Sequence, residues 1–429
     1  MNNIIPSVKG TRDFYPREMA IRSWLYKKSK DVSESFGYQE YEGPILESIN
    51  LYAAKSGEEL VKEQSFVFED RSKKLITLRP ELTPTLMRMV AQRQQQLHYP
   101  LRWWSFGPFW RYERPQKGRT REFFQWNIDL IGEATPEMDA EMVAVMAAFY
   151  QSVGLSSQEV AISVNNRRLL DQQLHKMGIA PEIRPQVIRL IDRKDKLSQD
   201  AWEKYAIDIS LGNQQLDQLV ALMENIDLWK ESQELVRFFE AIESLGVSDY
   251  VHYNPEVIRG LDYYTGTVYE GHSLTTNIRR ALAGGGRYDN LLADVGGTPL
   301  PGTGFAMGDL VISLLLEELD HLPANLGRSP APVLVTVFNE DLLLSSYRLA
   351  SELRSSGLNI AVYPIPDKLG KQFRYAERIG ARVAVILGTT EHSNHQLTIK
   401  DLISRQQITV PRIESLKKIT QILAGDSPS

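Results

Sequence analysis

Residues 109–126 read FWRYERPQKGRTREFFQW and gather five cationic side chains, six aromatic rings and two glutamates in a chain whose net charge is −5. Arg111 and Glu113 stand two residues apart, so on a strand both project from one face. An arginine fixed on such a strand can grip an anionic group with two parallel hydrogen bonds, which a lysine does less well. Pro115 to Arg119 reads as an exposed loop carrying two mobile cations. Taken alone, the segment also fits a plainer picture, rings as sheet core and charges as a solvated hairpin tip.

Further segments carry polar groups at telling spacings. LRPELTPTLMR sets Glu81 and Thr83 on one side of a strand end or turn, a way to present a carboxylate and a hydroxyl to an ammonium group. Thr83 followed by Pro84 equally suits a helix N-cap and first helical position. RGLDYYTG brings Arg259, Asp262, Tyr263 and Tyr264 together, although two strand tyrosines are commonly packing residues. Glycines at 284–286, 296, 297, 302, 304 and 308 mark a region where backbone can approach a flat ligand. The chain has neither a dinucleotide-fold glycine fingerprint nor a phosphate-binding P-loop.

The elements that must hold these groups follow from periodicity. Ile21 to Ser35 has helical spacing and stops at Phe36-Gly37. FVFED and KLITLRPELT read as strands joined by a turn at Arg71 to Lys73. LRWWSFGPFWRYE and EFFQWNIDLIG read as an antiparallel pair around the basic loop. Pro136 to Gly154 is a helix, EVAISVNNRRLL a strand running into a helix, and Arg168 to Leu245 a helical insertion. Strand character returns at VIRGLDYYTGTVYEGHS, and LVISLLLEEL closes the region as an apolar helix. The expected fold is α+β: a mainly antiparallel sheet flanked by helices. After the linker HLPANLGRSPAP, strands and helices alternate, which predicts a small α/β domain with a largely parallel sheet. The expected domains are 1–325, with the insertion at about 168–247, and 326–429.

Composition removes several function classes. The sequence has no cysteine, which excludes disulfides, thiolate catalysis and cysteine-built zinc sites, and fits a cytoplasmic protein. No apolar run is long enough to span a bilayer, so no membrane partner is expected. Seven scattered histidines suggest no metal site made by protein side chains. From residue 331 onward 12 Lys and Arg face 9 Asp and Glu, against 37 and 45 before it. An acidic body with a mildly basic tail argues against bulk binding to DNA; nucleic-acid contacts should be local.

As a set, these segments resemble the class II aminoacyl-tRNA synthetases, and within them the histidyl-tRNA synthetase family, over nearly the whole chain. VKGTRDFYP is similar to that family's N-terminal signature. FGYQEYEGPILE, with Pro44, is similar to motif 1, and residues 109–132 to motif 2. RGLDYYTG and AGGGRYD resemble two segments peculiar to the histidine enzymes, and the tail resembles an anticodon-binding domain. The resemblance implies ATP-dependent joining of L-histidine to tRNA(His) through histidyl-adenylate, with Mg²⁺, in a cytoplasmic homodimer.

It also implies roles. Arg111 would hold the α-phosphate and Arg259 would assist attack by the histidine carboxylate. Glu113, Arg119, Arg121, Gly304 and Gly308 would serve ATP. Glu81, Thr83 and Gln125 would bind the α-ammonium; Asp129 and Tyr264 would take the imidazole nitrogens. Leu261, Tyr263 and Gly285 would complete the histidine site. Gln116, Lys117, Arg119 and Arg121 would meet the tRNA acceptor end, and Lys371, Arg374 and Arg378 of the tail would also contact tRNA.

One departure stands out. Motif 3 normally closes on a Glu-Arg pair whose arginine meets adenine and the γ-phosphate, whereas GTGFAMGDLVISLLL places Leu310 and Val311 there. Compensation is expected from Arg119, Arg121 or Arg287. The departure also keeps open a non-catalytic, synthetase-like regulatory subunit of ATP phosphoribosyltransferase. That class typically lacks the tail domain and degrades RGLDYY, and both are kept here. A synthetase for another amino acid fits Asp129, Tyr263 and Tyr264 less well than one for histidine.

Overall fold

The computed structural model describes residues 4–53, 64–116, 118–194, 197–259, 263–327 and 329–425. Lys117 and Leu261, both expected at the site, lie outside them. Two compact units are present, the first running through Pro323 and the second starting at Ala324.

The first unit opens with α1 (Pro16–Ser35), which starts five residues before the apolar periodicity because Pro16 suits a first helical turn. Strands β1 (Gln39–Glu40), β2 (Leu46–Ser48), β3 (Phe66–Glu69) and β4 (Leu75–Leu78) precede α2 (Thr83–Arg93). The long pair β5 (Leu101–Trp110) and β6 (Glu122–Ile131) leads into α3 (Pro136–Ser152) and β7 (Val160–Asn166). The insertion is α4 (Arg167–Lys176), α5 (Arg184–Asp192), α6 (Gln199–Asp208), α7 (Asn213–Glu224) and α8 (Gln233–Ser244). Three of its helices start on polar caps: Asn166 Oδ1 accepts from Arg168 N and Leu169 N at 2.9 and 3.1 Å, and Ser198 and Ser232 cap α6 and α8. β8 (Val251–Tyr253), β9 (Thr267–Ser273), β10 (Ala283–Tyr288), β11 (Gly302–Gly308) and α9 (Asp309–Glu318) complete the unit.

Eight strands form one sheet in the order β1-β5-β6-β11-β10-β9-β7-β8; only the two outermost pairings are parallel. Alternation along β6 explains how one strand serves both a core and a site. Trp126, Ile128 and Leu130 belong to the main apolar cluster, with Trp126 against Phe149 of α3 at 5.2 Å between ring centroids. Gln125, Asn127 and Asp129 necessarily point to the other face. Burying a ring like that of Trp126 contributes on the order of 3 kcal/mol, so the register is held by the core face while the opposite face is left for polar groups.

Two expectations are corrected. Among the described residues of VIRGLDYYTGTVYEGHS only Thr267–Ser273 is strand, and Tyr263 and Tyr264 sit in the turn before it. Their strand propensity is overridden by buried hydrogen bonds that fix both phenols among side chains of the site. In the second unit β12 (Val333–Val335), β13 (Ile360–Val362), β14 (Val383–Ile386), β15 (Gln396–Asp401) and β16 (Gln407–Pro411) pair in the order β13-β12-β14-β15-β16. The first two pairings are parallel and the last two antiparallel, so the tail sheet is mixed. A hairpin turn at Ile403 to Arg405, with Arg405 at φ 61°, reverses the chain where a helical crossover would have kept strands parallel. Helices α10 (Leu343–Ser355), α11 (Leu369–Arg378) and α12 (Ser415–Ala424) accompany this sheet.

Candidate active site

The polar face of the sheet is a trough. Pairing aligns Asp129 with Gly304, Gly286 and Val268, and Asn127 with Ala306, Gly284 and Glu270. Small residues on β10 and β11 thus form its floor, between carboxylates on β6 and β9. A Cβ on Gly304 would collide with the Asp129 carboxylate, and one on Gly284 with the Arg259 guanidinium. These glycines make room for functional side chains. Gly285 and Arg287 point to the opposite, core-facing side of β10, so Gly285 can serve the trough only through its backbone.

At one end lies a buried network. Tyr263 donates to Glu81 Oε2 at 3.2 Å, Thr83 shares a hydrogen bond with the Tyr263 phenol, and the Tyr263 and Tyr264 rings meet edge-on at 4.9 Å. Thr83 is the first residue of α2 rather than its N-cap: Leu82 takes that place, leaving the Thr83 hydroxyl free to turn toward Tyr263. Asp129, 4% exposed, accepts from Tyr288 at 2.5 Å. Burial pushes its carboxyl up to about 7 against the pull of the Tyr288 bond, so it changes charge near neutrality. Burial, and then the neighbouring Glu81 charge, hold the Tyr263 phenol well above its ordinary range and keep it a donor.

At the other end is a cleft of about 450 Å³, lined by Arg111, Glu113, Arg119, Gln125, Arg259, Arg280, Gly308, Asp309 and Val311 among others. Arg259 is ion-paired with Glu270, and Arg119 with Glu113. Arg111 donates from Nε to the Pro80 carbonyl at 2.9 Å. Asp309, at the start of α9, takes both oxygens to Arg12 at 3.1 and 2.8 Å and accepts from Phe124 N at 3.0 Å. The N-terminal segment is therefore part of the wall, and Gly10 O accepts from Arg121 N at 2.8 Å.

The cleft and network bring together most of the expected residues, with exceptions. Arg111 and Glu113 lie just past the end of β5, because Glu113 N turns back to Arg111 O at 2.7 Å and ends the alternation. Arg121 does not line the cleft. Its guanidinium lies 3.9 Å over the Tyr112 ring and donates to Glu113 O and Lys9 O. Gly304 is covered by Asp129, so Gly308 is the open glycine of the floor. Arg287 cannot compensate at Val311: it is buried on the core face, bonded to Asp139 at 2.9 Å and to the Glu133 and Thr135 carbonyls. Gln116 pairs with Arg119 across the loop tip. Tyr288, Glu270, Arg12 and Arg280 escaped the sequence reading; alternation from Gly284 and Gly286 points to Tyr288 on the same face, whereas Glu270, Arg12 and Arg280 depend on partners distant in sequence. In the second unit Lys371, Arg374 and Arg378 share an exposed face of α11, with Lys371 also held by Asp367 at 2.5 Å.

The polar face of this mainly antiparallel sheet thus carries an arginine-lined cleft at one end and a buried polar network at the other. The histidyl-tRNA synthetase family model matches residues 10–309 and an anticodon-binding domain model residues 332–422. The first match ends one residue before the Leu310-Val311 departure. A histidine–tRNA ligase of Leptospira biflexa is 34% identical over 97% of both chains. The chloroplastic/mitochondrial one of Arabidopsis thaliana is 35% identical over 94% of this chain and 84% of its own. The crystal structure of histidyl-tRNA synthetase from Nostoc shares the fold with a TM-score of 0.82 at 24% identity, covering 98% of this chain and 99% of that one. The chain belongs to the histidyl-tRNA synthetase family.

Proposed function

We propose that this chain activates L-histidine with ATP and transfers it to tRNA(His), and that the trough does so with the residues named above. A carboxylate oxygen of histidine attacks the α-phosphorus of ATP. A new P–O bond forms, and the bond to the bridging oxygen breaks with its electron pair leaving on pyrophosphate. A ribose hydroxyl of the tRNA terminus then attacks the histidyl carbonyl and AMP departs. Charge grows on phosphate oxygens in the first step, so fixed guanidiniums are the main source of stabilisation. Arg111 would hold the α-phosphate, and Arg259, oriented by Glu270, would neutralise the attacking carboxylate and the α-phosphate together. Glu113 would meet the adenine amino group once Arg119 swings toward phosphate.

Glu81, Thr83 and Gln125 would receive the α-ammonium. Asp129 and Tyr264 would each engage one imidazole nitrogen, and Tyr288 orients Asp129 for this. The observation that carries the reading is this buried Asp129–Tyr288 pair at the opposite end of the trough from the arginine-lined cleft: the Asp129 carboxyl, pushed up to about 7, titrates in the range of imidazole, which has a polar atom at each end. Among the described residues no group of three His, Asp or Glu could hold a metal ion, and both cleft carboxylates are bonded to arginines. The described side chains thus offer Mg²⁺ no group of three ligands.

The unit from Ala324 would contact the anticodon through α11, and the helical insertion, residues 168–247, would face the acceptor stem. Self-association would cover the small sheet β2-β4-β3, where Leu46, Phe68 and Leu75 are exposed. Among the described residues no helix is long and apolar enough to cross a membrane, which is compatible with a cytoplasmic setting. The test is charging of tRNA(His) with radiolabelled histidine: the proposal expects histidyl-tRNA dependent on ATP, and no product under saturating conditions would overturn it.

A further inference from the structure

Four arginines line the cleft, and two of them balance differently from the rest. Arg119 and Arg259 each have a carboxylate. Among the described residues Arg111 and Arg280 have none: Arg111 bonds the Pro80 carbonyl, and Arg280 donates from Nη1 to the Gly118 carbonyl at 3.1 Å. Both cleft-lining carboxylates are already committed, Glu113 to Arg119 and Asp309 to Arg12. Among the described residues the cleft therefore holds two guanidiniums without an ion-paired carboxylate, Arg280 feeling only the charge of Glu113, itself paired with Arg119, and partial burial strengthens their demand for an anion. Burial, then the nearby Arg119 charge, lowers the Arg280 pKa below its ordinary value, the mark of a cation whose surroundings do not favour it.

Position adds to charge. Gly118, at the tip of the β5–β6 loop, has the Arg280 Cδ and a Val311 methyl as neighbours, 3.4 and 3.9 Å from where a Cβ would stand. Arg280 thus occupies the cleft wall beside the α9 residue that presents only a methyl pair. Arg111 is tied to Pro80, next to Glu81 of the buried network, whereas Arg280 is tied to the loop tip at Gly118, and both line the same cleft.

We propose that Arg280 binds the outer phosphates of ATP and receives the charge that develops on pyrophosphate, supplying from the segment before β10 the cation that Val311 does not. The assignment rests on the function proposed above. As the bridging P–O bond breaks, its electron pair passes to the β-phosphate oxygen, and Arg280 stabilises that oxygen without giving up a proton. Arg280 also holds the Gly118 carbonyl, so the experiment must separate phosphate binding from loop anchoring. Glutamine at this position keeps an N–H donor for that carbonyl and removes the charge.

The experiment compares full-length Arg280→Ala and Arg280→Gln with the unaltered chain. It measures ATP and AMP binding by calorimetry, and the ATP KM and histidine KM in pyrophosphate exchange. Both variants are expected to lose about tenfold or more in ATP affinity, with AMP affinity and histidine KM within about twofold. Equal weakening of ATP and AMP, full recovery in Arg280→Gln, or no change in either variant would overturn the assignment. ATP binding without exchange in the unaltered chain would defeat the activity proposed above while the ATP-to-AMP ratio still tested Arg280. No ATP binding would overturn both.

Discussion

The two ends of the trough are built by different means. At the end proposed for imidazole Asp129, Tyr288, Tyr263, Tyr264 and Glu81 are buried, and strand pairing or buried hydrogen bonds fix them. At the end proposed for the phosphates Arg111, Arg119 and Arg280 stand on segments outside the strands, braced by backbone carbonyls and an ion pair. The first end is rigid because discrimination of one side chain needs unmatched polar groups to be costly. The second is assembled from loops, which suits a ligand that enters large and leaves in two pieces.

Removing charge from the junction between the ends should have the largest effect. Arg259→Gln is expected to cut the rate of adenylate formation by about a hundredfold or more, with histidine KM changed far less, since its charge matters most as charge builds on phosphate. Single-turnover formation of histidyl-adenylate checks this; equal losses in binding and rate would assign Arg259 to the ground state.

Asp129→Asn probes the rigid end. The kcat/KM for histidine should fall by roughly tenfold to a hundredfold, because Asn cannot accept from both Tyr288 and imidazole in the same geometry. Stability of the ligand-free protein should respond in the opposite sense. A carboxyl raised to about 7 in the folded state favours folding below the ordinary carboxylate range, and that contribution is lost as pH rises through 7. Asp129→Asn, which cannot ionise, should therefore gain stability relative to the native chain between pH of about 4 and 7. Urea midpoints that differ by a constant amount across this window would show that Asp129 does not titrate there.

The smallest effect should come from Arg121. Since it bridges the Glu113 and Lys9 carbonyls and covers Tyr112 instead of lining the cleft, Arg121→Ala should move the ATP KM by about twofold or less and lower thermal stability modestly. A tenfold rise in ATP KM would make the loop end more direct in its contacts than its geometry indicates.

The same contrast governs what could be seen in the sequence. EFFQWNIDLIG was legible as a strand, while Asp129 and Gln125 were named only through the family resemblance; the structure puts both on the face of β6 opposite Trp126. The glycines were legible as a place of close approach, but not that Asp129 and Arg259 fill the space they leave. Arg287 followed three glycines and looked available; strand parity turns it to Asp139 on the core side, which is visible only once β10 has a register. Arg280 was passed over because its meaning depends on Gly118 and Val311, distant in sequence and joined only by loop geometry. The turn holding Tyr263 and Tyr264 was read as strand since aromatic pairs favour strands, while a buried carboxylate at Glu81 decided otherwise.

Amino-acid-dependent ATP–pyrophosphate exchange by the full chain, without tRNA and with each standard amino acid in turn, tests the central claim most directly. Exchange supported by histidine and by no other amino acid is the predicted result. Exchange with several amino acids, or none with histidine at saturating ATP, would contradict a trough built around imidazole at one end and a triphosphate at the other.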